Sequence, residues 1–249
     1  MKIGIITAMP EEFRAASRCL EPGIVMQMAS LKTLRSQTAG HEFLLVESGM
    51  GFDNAARAAE MLVRDCQPDL LVSAGFCGGI ATELLAGDVV VAKEIIIANE
   101  DGFEEIPVQI SPVGQNFVAR QVAEGKRTVG GTFVSTSIIT SKRRMAGLLP
   151  GSCPNPVVEM ESGAVAIIAA KNNIPLLAIR AVSDTADEEL GFSLDEFCDP
   201  DMRRIRISKV LLTILRKPRI IPQLMRLSRS SSRAAESLTA ALSSLFPAL

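Results

Sequence analysis

The strongest constraint on this chain is a recurring pattern of short, β-branched apolar runs that stop at polar or glycine residues. The first is Ile3-Gly4-Ile5-Ile6-Thr7-Ala8, followed closely by Pro10-Glu11-Glu12. The pattern returns in Asp69-Leu70-Leu71-Val72-Ser73-Ala74-Gly75, which leads into Gly75-Phe76-Cys77-Gly78-Gly79. Runs without apolar–polar alternation mark strands buried on both faces, as in a mostly parallel sheet covered by helices. Further strands are expected over residues 88–98, 128–137 and 175–183, and helices over 54–66, 115–124 and 161–172. Three alternating stretches, 25–30, 32–38 and 42–48, suit antiparallel strands. The β and α segments alternate, which argues an α/β domain on a largely parallel, mixed sheet. No internal repeat, low-complexity linker or domain boundary precedes about residue 200, and 249 residues suffice for one large α/β core.

Composition excludes several classes of function. The chain has ten Phe and neither Tyr nor Trp, so a base-stacking platform for single-stranded nucleic acid has little to be built from. Its charge is unevenly distributed. Between Met202 and Ala235 stand ten Lys or Arg and no Asp or Glu; removing those ten from the chain's 26 leaves 16 basic residues against 28 acidic. The body is acidic and the tail basic; the acidic body and the lack of aromatics argue against nucleic acid as a partner. Five scattered cysteines without a C-x-x-C, and a single His41, read as reduced thiols with few soft ligands for a metal. The N-terminus lacks a signal-peptide pattern, and no apolar run approaches eighteen residues, so a cytoplasmic protein is expected.

In open α/β sheets ligands sit beyond the carboxyl ends of strands. Four places qualify: Thr7 to Glu12, Ser73 to Gly79, Glu159-Met160-Glu161, and Ser183-Asp184. Three acids and a glycine loop, without metal-ligand partners, point to general acid–base work on a neutral or cationic small molecule. Each feature also has a plain alternative. Glu11 and Glu12 suit a helix N-terminus through its dipole, and Gly75 to Gly79 suits a simple turn. Glu159 and Glu161 suit a solvated surface, and Asp184 an N-cap.

Taken in order, MKIGIITAMPEE (1–12), SGMG (48–51), GFCGGI (75–80), GDVV (87–90), VEME (158–161) and RAVSD (180–184) resemble the successive signatures of the nucleoside phosphorylase and nucleosidase superfamily. The methylthioadenosine/S-adenosylhomocysteine nucleosidase branch is the most similar, over roughly residues 1–200. The resemblance implies a three-layer α/β/α sandwich with a central mixed, partly barrel-like sheet. It also implies cleavage of a purine N-ribosidic bond through an oxocarbenium-like transition state, without metal or cofactor, and with phosphate as the alternative acceptor to water. By the same resemblance Glu12 activates water, Glu161 holds the ribose hydroxyls against Met160, and Asp184, supported by Ser183, protonates or hydrogen-bonds the purine. Phe76, Cys77, Gly78, Ile139 and Thr140 are implied contacts of the base. A homodimer or higher oligomer is implied, with Met50, Phe103 and Phe192 as candidates for closing the 5′ side.

Two departures from the family pattern stand out. Phe76 occupies a place where relatives carry a small hydroxyl residue, and it is expected to narrow the pocket. Leu71-Val72-Ser73-Ala74 lacks the Arg that phosphorylases place before this loop, which favours water because a phosphate dianion needs several charge-assisted donors. Thr7, Ser48 and Arg35 remain candidates for a phosphate or water site. Residues 201–249 form a basic, Pro-interrupted extension whose mixture of Arg, Lys, Ile and Leu suits either a helix packed on the domain or peripheral contact with an anionic membrane. That tail also resembles the hopanoid-associated branch, which implies an adenosylhopane-like substrate at the membrane surface. A non-catalytic nucleoside-binding protein is the alternative from another class.

Overall fold

The computed structural model describes residues 1–99, 102–137, 141–188 and 221–249, with side chains from 229 onward in the last segment. Its first unit follows directly from the opening run. Strand β1 (Lys2–Thr7) is buried from its second residue on, and helix α1 (Pro10–Ser17) starts on a proline whose missing N–H costs nothing at that position. A meander follows, of β2 (Ile24–Met28), β3 (Leu31–Thr38) and β4 (His41–Glu47). Helix α2 (Phe52–Cys66) then buries Ala55, Ala58, Ala59 and Leu62, a single stripe at helical spacing.

Strand β5 (Leu70–Gly79) is buried at all ten positions. The expected glycine loop does not exist: Gly75 to Gly79 continue the strand, because neighbouring strands pair along its whole length. After it come β6 (Val89–Asn99), β7 (Gly102–Glu105), α3 (Pro112–Ala123), β8 (Thr128–Thr136), α4 (Lys142–Leu148), β9 (Val157–Glu159), α5 (Ser162–Lys171) and β10 (Leu176–Asp184). The described chain ends with α6 (Ile221–Leu245) and a short 3-10 turn, Phe246–Ala248.

All ten described strands share one sheet, and part of it closes on itself. The order runs β10-β6-β8-β9-β5-β1-β4-β3-β2, and β10 also pairs with β5. Five strands therefore form a barrel, and β1, β4, β3 and β2 extend from it as an open wing. The β1, β4, β5 and β10 pairings are parallel, while β9 against β5 and β6 against β10 are antiparallel.

Strand alternation supplies two cores. Ile6, Leu44 and Leu71 pack with Leu62 of α2 and Val165 of α5, whereas Ile3, Ile5 and Val72 pack with Phe13 of α1 and Leu242 of α6. Helices thus cover both faces of a mixed sheet, as the resemblance implies.

The tail is partly accounted for. Ala234, Leu238, Ala241, Leu242 and Leu245 are buried in the second core together with Phe246, so this apolar stripe is spent on the chain's own domain. The first part of the basic extension, residues 201–220, lies outside the described residues. No helix among the described residues is long and apolar enough to cross a membrane.

Candidate active site

Four strand ends and four helix starts lie around Gly75 to Gly79. Glu12 lies in the first turn of α1, where its side chain folds back across the start of its own helix. Oε2 accepts the N–H groups of Ala8 (2.8 Å) and Met9 (2.9 Å), and Oε1 accepts that of Phe76 on β5 (2.8 Å). Only glycine fits beside it, since a Cβ on Gly75 would lie 2.5 Å from Oε1. Burial lifts the Glu12 carboxyl above the ordinary range, and the pull of Arg180 and of the three N–H groups does not fully cancel this.

Arg180, from β10, is the electrostatic centre and is 2% exposed. Its Nη2 donates to Glu159 Oε2 (2.8 Å) and Ser73 Oγ (3.0 Å) and lies 3.7 Å from Glu161 Oε2. Glu159 Oε2 also accepts the N–H groups of Glu161 (3.0 Å) and Ser162 (2.7 Å), tying the guanidinium to the start of α5. Arg180 Nε and Glu159 Oε1 are buried without a hydrogen-bond partner among the described residues, an arrangement that stability alone would not select. Glu161 Oε1 accepts the Gly51 N–H (2.9 Å), and Gly51 has φ 92°, a conformation that favours glycine. Burial and the neighbouring Glu159 push the Glu161 carboxyl up to about 7 against the attraction of Arg180.

Asp184 closes β10. The register against β5 shifts between Val182 and Asp184, so Ser183 is the extra residue of a bulge and Asp184 stands opposite Gly78. Ser183 Oγ donates to Asp184 Oδ1 (2.6 Å), and Lys142 Nζ donates to Asp184 Oδ2. A Cβ on Gly78 would lie 3.0 Å from Asp184 Oδ2. Glu12 thus abuts Gly75 and Asp184 abuts Gly78. Gly75 and Gly78 are three residues apart on β5, about 10 Å along the strand.

Glu12, Glu161, Asp184 and Ser183 are thus tied to the last residues of β5 or to Arg180 beside it, and Met160, next to Glu161, is half-buried. Other candidates do not behave as expected. Arg35 is bound to Glu42 (2.6 Å), and Glu42 pairs with Lys2, so Arg35 lies at the amino end of β1, opposite the site. Phe76 does not shape the site with its ring. Alternation places it on the same face as Val72 and Ala74, inside the second core, and its contribution is its backbone N–H.

Cys77 is buried, with its carbonyl a second, longer acceptor (3.2 Å) for the Ser183 hydroxyl and its thiol pushed well up by burial. Thr7 and Ser48 are at the correct end of the sheet, but their hydroxyls donate to the carbonyls of Val46 (3.0 Å) and of Thr7 (3.1 Å) or Gly49 (2.8 Å). Met50 and Phe103 are half-buried. Ile139, Thr140 and Phe192 lie outside the described residues.

Sequence reasoning missed three residues. Arg180 and Glu159 were quoted within motifs without a role, although an Arg inside an otherwise apolar strand is itself a signal that a carboxylate must face it. Lys142 stands first in Lys142-Arg143-Arg144, outside every motif, and no pattern marked it as the buried one.

Residues 2–216 match the model of the Phosphorylase superfamily. The chain belongs to that superfamily. By that membership it is an enzyme, and its likeness to solved structures spans the whole chain. The 5′-methylthioadenosine/S-adenosylhomocysteine nucleosidase of Neisseria meningitidis, solved with methylthio-immucillin-A, is 20% identical with a TM-score of 0.75, covering 100% of this chain and 99% of that one. The Helicobacter pylori nucleosidase of the same name is 16% identical with a TM-score of 0.76 and the same coverage. The futalosine hydrolase of Helicobacter pylori is 15% identical, at a TM-score of 0.75, over 100% of this chain and 98% of that one. At these identities the likeness establishes the shared fold, a mixed sheet with a partly closed barrel.

Proposed function

We propose that this member of the Phosphorylase superfamily hydrolyses the N-ribosidic bond of a purine nucleoside bearing an apolar 5′ substituent. The observation that carries the choice of water over phosphate is the seat of Glu12. Three convergent backbone N–H groups make a cradle for an anion, and the protein's own carboxylate already fills it. The Thr7 and Ser48 hydroxyl protons are committed to carbonyls, and Arg180 is committed to Glu159. A phosphate dianion would meet Glu12 and Glu161 with few donors left to hold it.

The same geometry suits the chemistry of hydrolysis. Burial makes Glu12 a stronger base than an ordinary carboxylate, so it can take a proton from a water poised at the sugar's anomeric carbon. Glu161 accepts from the ribose hydroxyls, and the surrounding carboxylates favour the positive charge that grows on the ribosyl ring. Asp184, one strand end away, faces the departing base. The likeness to nucleosidases named for methylthioadenosine supports the 5′-substituted adenine nucleoside as substrate class. A dimer is proposed on the family resemblance, as is contact of the undescribed basic segment with an anionic membrane.

The test is incubation with methylthioadenosine, adenosine and inosine, with and without phosphate. Free base and free sugar should appear at rates independent of phosphate. Sugar 1-phosphate formed only when phosphate is present would refute hydrolysis.

A further inference from the structure

Lys142 is placed where a lysine is least expected. It begins α4, at the end of the helix whose dipole disfavours a cation. Of the consecutive cations Lys142, Arg143 and Arg144, it alone is buried, at 7% exposure. Its Nζ donates to Asp184 Oδ2 and to the Thr185 carbonyl, and its third N–H has no partner among the described residues. The close approach is built into the backbone, since a Cβ on Gly78 would lie 3.0 Å from Asp184 Oδ2 and 3.3 Å from Lys142 Cδ.

Lys142 and Asp184 form an ion pair at Oδ2, and Ser183 Oγ stands within hydrogen-bond reach of Oδ1. A carboxylate in that state has no proton of its own to give, yet the departing purine needs one. The ammonium is the acid within reach.

We propose that Lys142 is the positioning residue that holds Asp184 towards the base and supplies, through it, the proton taken by the leaving purine. The inference rests on the nucleosidase reading. As the C1′–N bond breaks, its electron pair passes to the purine ring. One proton moves from Lys142 Nζ to Asp184 Oδ2, and one from Oδ2 to a ring nitrogen. Lys142 is left neutral and recovers its proton from solvent once the base has gone. The residue is thus part of the reaction without touching the sugar.

The experiment is a double-mutant cycle on methylthioadenosine cleavage with Lys142→Met, Asp184→Asn and the pair combined, alongside Lys142→Arg. General-acid contributions are typically 10²–10⁴-fold. Lys142→Met should lower kcat by about 100-fold with KM changed only a few-fold, and Lys142→Arg should restore part of the loss by keeping Asp184 in place. The combined variant should be no slower than Asp184→Asn alone, because Lys142 acts only through Asp184.

A Lys142→Met enzyme of undiminished kcat would overturn the proposal. So would a combined variant slower than Asp184→Asn by the full Lys142→Met factor. If Lys142→Met fails to fold, the same comparison with Lys142→Arg and Lys142→Gln decides, and equal rates in those two and the wild type overturn it. Absence of base release by the wild-type enzyme would instead refute the nucleosidase reading, and this proposal with it.

Discussion

Glu161→Gln is expected to make the protein more stable at alkaline pH and nearly inactive. The Glu161 carboxyl is lifted from 4.5 to about 7, chiefly by burial and by Glu159. The unfolded chain releases this proton near pH 4.5, whereas the folded protein holds it until about pH 7. Between those values the folded state binds more protons, so stability falls as pH rises, and the loss is complete above pH 7. At about 1.4 kcal/mol per tenfold change in proton affinity, forcing the buried group to ionise costs about 3 kcal/mol. Glutamine has no charge to bury and keeps an oxygen for the Gly51 N–H. For a chain of this size that energy corresponds to roughly 6–12 °C in Tm.

The assay is thermal denaturation of wild type and variant from pH 4.5 to 8.5, read as the difference between the two so that groups common to both cancel. The variant's advantage should grow through the window from about 4.5 to 7 and level off above it. A difference that stays flat with pH would refute the reasoning, as would a wild type that is the more stable protein at pH 8.

Other outcomes follow from the same geometry. Glu12→Gln and Asp184→Asn should each lower kcat for base release by 10²-fold or more, an order-of-magnitude expectation, while circular dichroism shows an intact fold. Gly75→Ala places a Cβ 2.5 Å from Glu12 Oε1, so it should depress turnover by displacing that carboxylate, with little loss if the enzyme does not use Glu12. Leu242→Ala should cost about 2–5 kcal/mol in denaturant unfolding, because Leu242 is fully buried between α6 and the sheet. Removing residues 229–249 strips Leu238, Leu242, Leu245 and Phe246 from the core at about 1.5–3 kcal/mol each, so the truncated chain should not fold; a soluble, active truncation would show that α6 is dispensable.

Local chemistry explains what could be read in advance. The buried strands at Ile3, Leu70, Val89 and Leu176 are long β-branched or apolar runs, and helix α2 has a clean Ala and Leu stripe, so their positions were legible. Strand β9 has three residues and α4 has no apolar stripe, so no window of sequence could reveal either. Yet β9 carries Glu159 and α4 begins with Lys142.

The acids Glu12, Glu161 and Asp184 were visible as polar residues at strand ends, and family resemblance gave them roles. What sequence could not show is which partners they find across the chain: the separation of 168 residues from Glu12 to Arg180, or of 42 from Lys142 to Asp184, is closed only by the fold. Phe76 shows the converse. Its size suggested a wall of the pocket, but strand alternation decides which face a side chain takes, and pairing through Gly79 fixed it inward.

Glu12, Glu161 and Asp184 are proposed to surround one nucleoside. A crystal structure with a non-cleavable nucleoside analogue tests it most directly. The predicted result has the sugar hydroxyls on Glu161, the anomeric carbon facing Glu12 and a ring nitrogen of the base at Asp184. An analogue bound away from these residues, or contacting only one of the three acids, would show that they do not form one site.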